Sequence, residues 1–127
     1  METKKRYTDE ELEEFKQLIE GKLVVARAEF EAMMRSVRGE DSNDVDDTMP
    51  TYKILEEGSS AQTKEDLMRM AARHQKYIQG LEGAMLRIKH KTYGIDRMTG
   101  ELIPKERLRA VPHATLSVAS KMSNKNH

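Results

Sequence analysis

A single apolar stripe runs through the first third of the chain and constrains its fold more than any other feature. The motif Thr8-Asp9-Glu10-Glu11 precedes it and has the spacing of a capping box, in which the Thr8 and Glu11 side chains each accept from the other's amide. Gly39 follows it, and glycine commonly ends helices. The pattern predicts one helix of about 30 residues, roughly 45 Å long. The apolar positions are Leu12, Phe15, Ile19, Leu23, Ala26, Phe30, Met33 and Val37.

A second stripe lies downstream, after a second cap motif at Thr63-Lys64-Glu65-Asp66. Its positions recur at close to 3.5 residues, the spacing of coiled coils. Two long helices, each with one apolar stripe, predict an antiparallel coiled-coil hairpin. His74 belongs to the stripe, so we expect a packed histidine there and not a ligand or a catalytic base. The positions are Leu67, Ala71, His74, Ile78, Leu81, Met85 and Ile88.

Composition narrows the class of protein. Lys plus Arg and Asp plus Glu each number 22 in the 127 residues, so no net field attracts nucleic acid. The absence of cysteine excludes disulfides and thiolate metal sites.

Sequence motifs of common enzyme classes are missing from the chain. It has no phosphate-binding loop, nucleophile elbow or zinc-protease motif, so we expect no enzyme. No apolar run approaches the roughly 20 residues that span a bilayer, and we expect a cytoplasmic protein without membrane contact.

The segment between the two predicted helices, residues 40–62, is acidic. Its carboxylates include Asp44, Asp46, Asp47, Glu56 and Glu57. The start resembles a calcium-binding loop, but it lacks the glycine at the sixth loop position and the glutamate at the twelfth, which argues against Ca²⁺. A solvated acidic loop is the simpler interpretation.

The C-terminal third has the sequence pattern of a zinc ribbon, but it lacks the cysteines that would bind the metal. Residues 93–104 follow the pattern Y-G-x-x-x-x-x-G-x-x-I-P, and residues 107–116 follow R-L-x-A-x-P-x-A-x-L. Ribbon fingers hold zinc with two C-x-x-C knuckles. Asp96 and Thr99 stand at the first knuckle, and Ser117 and Ser120 stand at the second. We also expect a short helix near 105–109 and another after residue 116.

The sequence patterns of residues 93–104 and 107–116 resemble those of the TraR/DksA family. The resemblance covers residues 7–121 and implies a regulator that binds RNA polymerase directly, without sequence-specific DNA contact. It implies that the coiled coil enters the secondary channel of the polymerase, that the tip approaches the active site, and that the finger stays on the channel rim. It also implies an effect on promoter-complex lifetime, often together with guanosine tetraphosphate.

The resemblance assigns roles to particular residues in two registers. Counted from the first helix, the acidic tip motif falls on Asp44, Asp46 and Asp47; counted back from the finger, it falls on Glu56 and Glu57. The two counts differ by about seven residues, and both stay open.

The resemblance also assigns candidate contacts to the alarmone. These are Arg73, Arg107 and Lys121, whereas Gly80 and Val111 replace basic residues of better-known members. Loss of two charge-assisted phosphate contacts would weaken that site.

We expect no metal cofactor. An alternative replacement site, built from Asp96, Ser117 and a histidine such as His113, is disfavoured because hydroxyls are poor zinc ligands. Hydrogen bonds from Asp96 to the turn that follows it, together with apolar packing, would replace the metal. The packing residues would be Tyr93, Ile95, Leu102, Ile103, Leu108, Val111, Leu116 and Val118.

The predicted fold is mainly α: a long antiparallel coiled-coil hairpin at residues 7–91 with its tip at about 40–62, a metal-free zinc-finger-like subdomain at 92–121, and a flexible tail at 122–127. We expect a monomer. The alternative function is a coiled-coil adaptor that binds another protein and does not act on RNA polymerase. Direct DNA contact ranks third.

Overall fold

The structure, a computed structural model, describes residues 5–39 and 63–125 and is mainly helical there. Two long helices pack against each other, and two short helices follow. The helices are α1 (Asp9–Arg38), α2 (Lys64–Lys89), α3 (Lys105–Ala110) and α4 (Val118–Lys125). Both expected short helices are therefore confirmed. α4 extends through residue 125, into the stretch that the sequence predicts as a tail.

Side-chain caps begin both long helices, as predicted. The Thr8 amide donates to Glu11 Oε1 at 2.8 Å, and the Glu11 amide donates to Thr8 Oγ1 at 3.1 Å. The Asp66 amide donates to Thr63 Oγ1 at 3.1 Å. Gly39 follows the last residue of α1 with φ of 74°, a left-handed conformation that glycine adopts without strain. These contacts satisfy amides that have no partner within the helix.

The described residues form two compact units. The first comprises residues 5–21 and 80–125, and the second comprises residues 22–39 and 63–79. Residues 92–121, predicted as a separate subdomain, therefore share a unit with the beginning of α1 and the end of α2.

Aromatic and aliphatic side chains fill the core of the first unit. Phe15 lies between Tyr7 and Tyr93, with ring centroids 6.0 Å and 5.3 Å away. Such tilted ring pairs add to the stability that burial provides. The apolar stripes of α1 and α2 both supply side chains to this core, and apolar side chains of residues 93–116 complete it. The other buried apolar residues are Leu12, Ile19, Leu81, Ala84, Ile88, Ile103, Leu108, Ala114 and Leu116.

The second unit continues the two stripes. Met33 and Ala71 are buried, and Phe30, Met34, Leu67 and Met70 pack against them. His74 Nε2 lies 2.9 Å from the Ala26 carbonyl oxygen and 3.4 Å from Glu29 Oε1. A packed histidine on the stripe is thus confirmed, and its ring nitrogen joins α2 to α1.

The predicted apolar cluster of the C-terminal segment is largely correct. Tyr93, Ile103, Leu108 and Leu116 are buried, and Ile95, Leu102 and Val111 are half-buried. Val118 was expected to join this cluster, but that prediction is wrong, since 58% of its surface is exposed. The reason is local: in the first turn of α4 the buried side chain is Ser120, which bonds to Asp96, and Val118 lies two positions earlier, on another face of the helix.

Candidate functional site

A tight loop presents the first predicted knuckle. Ile95 and Leu102 form an antiparallel bridge, and the Asp96 amide donates to the Glu101 carbonyl at 2.8 Å. Gly100 closes the loop, since its amide donates to the Asp96 carbonyl at 2.8 Å and its φ is 77°. The glycine after the knuckle therefore has the backbone role that the sequence pattern suggests.

Gly94, at the entrance of the loop, is also required by its surroundings. Its φ is 79°, and a Cβ atom there would lie 2.7 Å from two ring carbons of Tyr7. The Tyr7 hydroxyl donates to the carbonyl oxygen of Ile103, across 96 residues of sequence. Tyr7 thus attaches the start of the chain to the loop. Sequence reasoning did not assign it this role, because nothing local to Tyr7 indicates a partner so distant in sequence.

The Asp96 carboxylate is the centre of the site. Its Oδ1 accepts from the amides of Met98 at 2.7 Å and Thr99 at 3.2 Å. Its Oδ2 accepts from the Ser117 amide at 2.9 Å and from the Ser120 hydroxyl at 2.6 Å. The expectation that Asp96 caps the turn after it is confirmed. The same carboxylate also accepts hydrogen bonds from Ser117 and Ser120, at the N-terminal end of α4.

The hydroxyls of the other knuckle positions complete the arrangement. Ser117 Oγ accepts from the Ser120 amide at 3.1 Å, which caps the first turn of α4. Thr99 Oγ1 accepts from the Glu101 amide at 3.1 Å. Nearby, Arg97 bonds to Thr115 through its backbone amide and through its Nε. The structure thus brings all four knuckle positions together, which we call the Asp96 cluster: Asp96, Thr99, Ser117 and Ser120.

The electrostatics of the Asp96 cluster favour an ionised carboxylate. Asp96 is only 2% exposed, and burial alone would raise its pKa. Hydrogen bonds from the Ser120 hydroxyl and from the Ser117 and Met98 amides outweigh burial and hold the pKa of Asp96 well below its usual range. A buried anion is tolerated here because donors surround it.

Zinc does not fit the donor set of the cluster. Zinc prefers thiolate and imidazole ligands, whereas this cluster offers one carboxylate and three hydroxyls. Both carboxylate oxygens already accept two hydrogen bonds each. Within residues 5–39 and 63–125, no three His, Cys, Asp or Glu side chains are grouped as a metal site would require. The alternative site with His113 finds no support in the geometry, since the His113 ring packs on Gly80 of α2.

The candidate alarmone contacts are divided between the two units. Arg107 and Lys121 belong to the first unit, and Arg73 belongs to the second. Arg107 is half-buried, and its Nε donates to the Leu116 carbonyl at 3.1 Å. Arg73 and Lys121 are exposed. At Gly80, a Cβ atom would lie 3.0 Å from Cδ2 of His113, so a longer side chain there would require that ring to move.

The tip candidates lie outside the described residues. These are Asp44, Asp46, Asp47, Glu56 and Glu57. Both registers of the acidic motif therefore stay predictions from the sequence. In the part of the chain that is described, no helix has the length and apolarity to cross a bilayer.

Comparison with known proteins finds one distant similarity. The chain is 33% identical over 93 residues to General stress protein 16O of Bacillus subtilis (strain 168). The aligned part covers 72% of this chain and 53% of that protein, so the chain spans about half the length of this curated relative. No family model and no solved structure matches the chain.

Proposed function

We propose that this chain is a DksA-like regulator of the TraR/DksA type, which binds RNA polymerase directly and alters the stability of promoter complexes. It acts as a cytoplasmic monomer and carries out no chemistry of its own. Its C-terminal segment is a zinc-finger-like subdomain in which hydrogen bonds replace the metal. Its two long helices are the coiled-coil hairpin that enters the secondary channel.

One observation carries the proposal: two pairs of residues, each with two residues between them, meet at a single buried carboxylate. Asp96 and Thr99 form one pair, and Ser117 and Ser120 form the other. This is the arrangement expected of a ribbon finger whose zinc has been replaced by an anion with hydrogen-bond donors around it. The resemblance to the family comes from the sequence patterns of residues 93–104 and 107–116, which surround these positions, and the proximity of the four residues supports it.

The helices support the second part of the proposal. α1 has 30 residues, which corresponds to a length of roughly 45 Å. Most buried residues on both long helices lie three, four or seven positions apart, as in a coiled-coil seam. A hairpin of this length could carry a tip deep into a channel. The tip carboxylates, in either register, would then act near the catalytic Mg²⁺ or mobile elements of the polymerase.

Guanosine tetraphosphate is a candidate effector in this proposal. Arg107 and Lys121 would supply cations for its phosphates, with Arg73 as a further candidate. At Gly80 the side chain of His113 occupies the space into which a basic residue would extend. We therefore propose that any response to the alarmone is weak. Similarity to a general stress protein fits a role in stress-dependent regulation.

Binding to polymerase is the decisive test. Labelled chain is titrated with the host's core RNA polymerase, and the lifetime of a promoter complex is measured with and without the chain. We expect saturable one-to-one binding and a changed lifetime. A Leu81→Asp variant, which we expect to lose the packing of the two helices, serves as the negative control, and Leu86→Asp, an exposed position on the same helix, serves as the matched folded control. If the folded chain does not bind RNA polymerase but binds a different protein, the adaptor function is favoured instead.

A further inference from the structure

The two glycines Gly80 and Gly83 leave a strip of bare backbone on α2, and two nitrogen-rich side chains lie on it. The His113 ring is so close that a Cβ atom on Gly80 would lie 3.0 Å from its Cδ2 and 3.3 Å from its Cγ. An Nη atom of Arg87 would lie 3.4 Å from a Cβ atom on Gly83. Because residues three apart are neighbours on a helix surface, the imidazole and the guanidinium lie side by side.

The segment that carries His113 is attached to the rest of the first unit at several points. The Tyr93 hydroxyl donates to the Pro112 carbonyl at 2.8 Å, and Arg107 Nε donates to the Leu116 carbonyl at 3.1 Å. Pro112, Ala114 and Leu116 are buried. The segment leads directly into Ser117, whose amide bonds to Asp96. Residues 111–117, which we call the docking segment, therefore connect α2 and α3 to the Asp96 cluster.

The electrostatic surroundings of His113 oppose protonation. Burial of the ring lowers its pKa, and the positive charges of Arg87 on α2 and Arg107 on α3 lower it further. Three further titratable groups contact this segment: Tyr93 at Pro112, Arg97 at Thr115 and Asp96 at Ser117. Burial raises the pKa of the Tyr93 phenol, which stays protonated, and hydrogen bonds keep the Asp96 carboxylate ionised. A neutral imidazole is therefore the form that the docked segment accommodates, and a third positive charge would be repelled by the two guanidiniums.

We propose that His113 is a proton-responsive contact that holds the docking segment against α2 at neutral pH and releases the segment on acidification. Release exposes the Gly80–Gly83 strip and loosens the start of α4 at Ser117. The hairpin core, which is built from the apolar stripes, stays folded. The device is independent of the proposed action on polymerase, since it concerns only how one segment of this chain is held.

The direction of the pH effect follows from linkage. An undocked His113 regains the ordinary pKa of histidine, about 6.5, whereas the docked ring binds a proton less readily. Falling pH therefore favours the undocked segment, beginning near pH 6.5 and ceasing below the depressed value of the docked ring. Within this window the docking equilibrium changes by at most about tenfold per pH unit, because a single proton is involved.

Amide hydrogen exchange of the intact chain between pH 7.5 and 5 tests the proposal. The reporters are the amides of Ala114 and Ser117, corrected for intrinsic rates, with the amides of α1 as the internal reference. We expect the reporters to lose protection below pH 6.5 while the reference amides do not. His113→Gln, which carries no charge at any of these pH values, should abolish the loss. His90→Gln changes an exposed histidine and should behave as the parent does.

A second measurement keeps the proposal falsifiable if His113→Gln fails to fold. NMR titration of the wild-type imidazoles reports His113 directly, and Arg87→Gln removes one of the two facing cations. We expect His113 to titrate below the value of free histidine, and at a higher pH in Arg87→Gln than in the parent. Titration of His113 at or above that of free histidine, or reporter amides equally protected at pH 5 and pH 7.5, would overturn the proposal.

Discussion

The Ser120 hydroxyl donates a 2.6 Å hydrogen bond to Asp96 Oδ2, and this bond connects the first turn of α4 to a loop 24 residues earlier in the chain. Both residues are buried, and the same carboxylate accepts three backbone amides. A ribbon finger joins two such segments through one cation held by four thiolates, whereas here one anion with four donors joins them. In the proposed zinc-finger-like subdomain, this carboxylate therefore takes over the connecting role of the metal.

Asp96→Asn should destabilise the first unit by about 2–4 kcal/mol. An amide group keeps the size of the carboxylate but places an NH₂ donor against donors that already point at it. Ser120→Ala removes one hydrogen bond and leaves the anion with three amides, so it should cost less, about 1–2 kcal/mol. Urea unfolding at pH 7 measures both changes. Equal stability of Asp96→Asn and the parent would show that the cluster contributes nothing.

Acid should remove the contribution of Asp96. Its pKa is depressed in the folded chain, so its stabilisation is fully present above the unfolded value of about 3.9 and is lost as pH falls through the folded value. The difference in unfolding free energy between the parent and Asp96→Asn should therefore shrink from pH 7 to pH 3. Urea titrations of both proteins at these two pH values provide the test. A difference that stays constant would contradict the ionised, hydrogen-bonded carboxylate.

Four cysteines at the cluster positions should create a zinc site. The variant replaces Asp96, Thr99, Ser117 and Ser120, whose spacing and proximity match two knuckles. We expect about one zinc per chain by elemental analysis, and a melting temperature that falls on chelation. The parent should contain no zinc, and a variant with cysteines at Asp96 and Thr99 alone should bind far more weakly. Zinc bound stoichiometrically by the parent, or not retained by the four-cysteine variant, would refute the interpretation of the cluster as a replaced metal site.

Leu81→Asp should unfold much of the first unit. Leu81 is fully buried, and an aspartate there loses apolar burial and must be desolvated, at a cost of about 3–5 kcal/mol. Leu86→Asp is the matched control on the same helix, because Leu86 is 56% exposed and its replacement should cost about 1 kcal/mol or less. Thermal unfolding followed by circular dichroism separates the two. Similar melting temperatures for both variants would contradict the assignment of the stripe.

Neutralising the tip should abolish regulation and leave polymerase binding largely intact. In the proposed function, affinity comes from the helices and the finger, whereas the charge at the tip would act on a site rich in Mg²⁺. Asn at Asp44, Asp46 and Asp47 tests one register, and Gln at Glu56 and Glu57 tests the other. Promoter-complex lifetime and binding are measured side by side for each variant. If both variants regulate as the parent does, the acidic segment has no regulatory role.

Much of the local structure was predictable from the sequence. The cap motifs at Thr8 and Thr63 mark where the two long helices begin, and Gly39 marks where α1 ends, because each signal acts within one or two turns. The spacing of Asp96 from Thr99, and of Ser117 from Ser120, marked the positions of the cluster. Asp96 as a cap was likewise predictable, since its amide partners Met98 and Thr99 lie two and three residues away.

Only the tertiary structure decided which distant groups meet. Nothing in the local sequence indicates that Tyr7 would bond to the Ile103 carbonyl or that His113 would lie on Gly80. The zinc-ribbon pattern groups Ser120 with Asp96, but only the fold decides that the Ser120 hydroxyl donates to the carboxylate. The sequence likewise did not predict that Val118 is exposed, because the face of α4 that is buried depends on which residues of other segments pack against the helix. Periodicity and caps report forces between residues a few positions apart. Contacts across tens of residues depend on how the elements pack, and packing is a property of the whole folded unit.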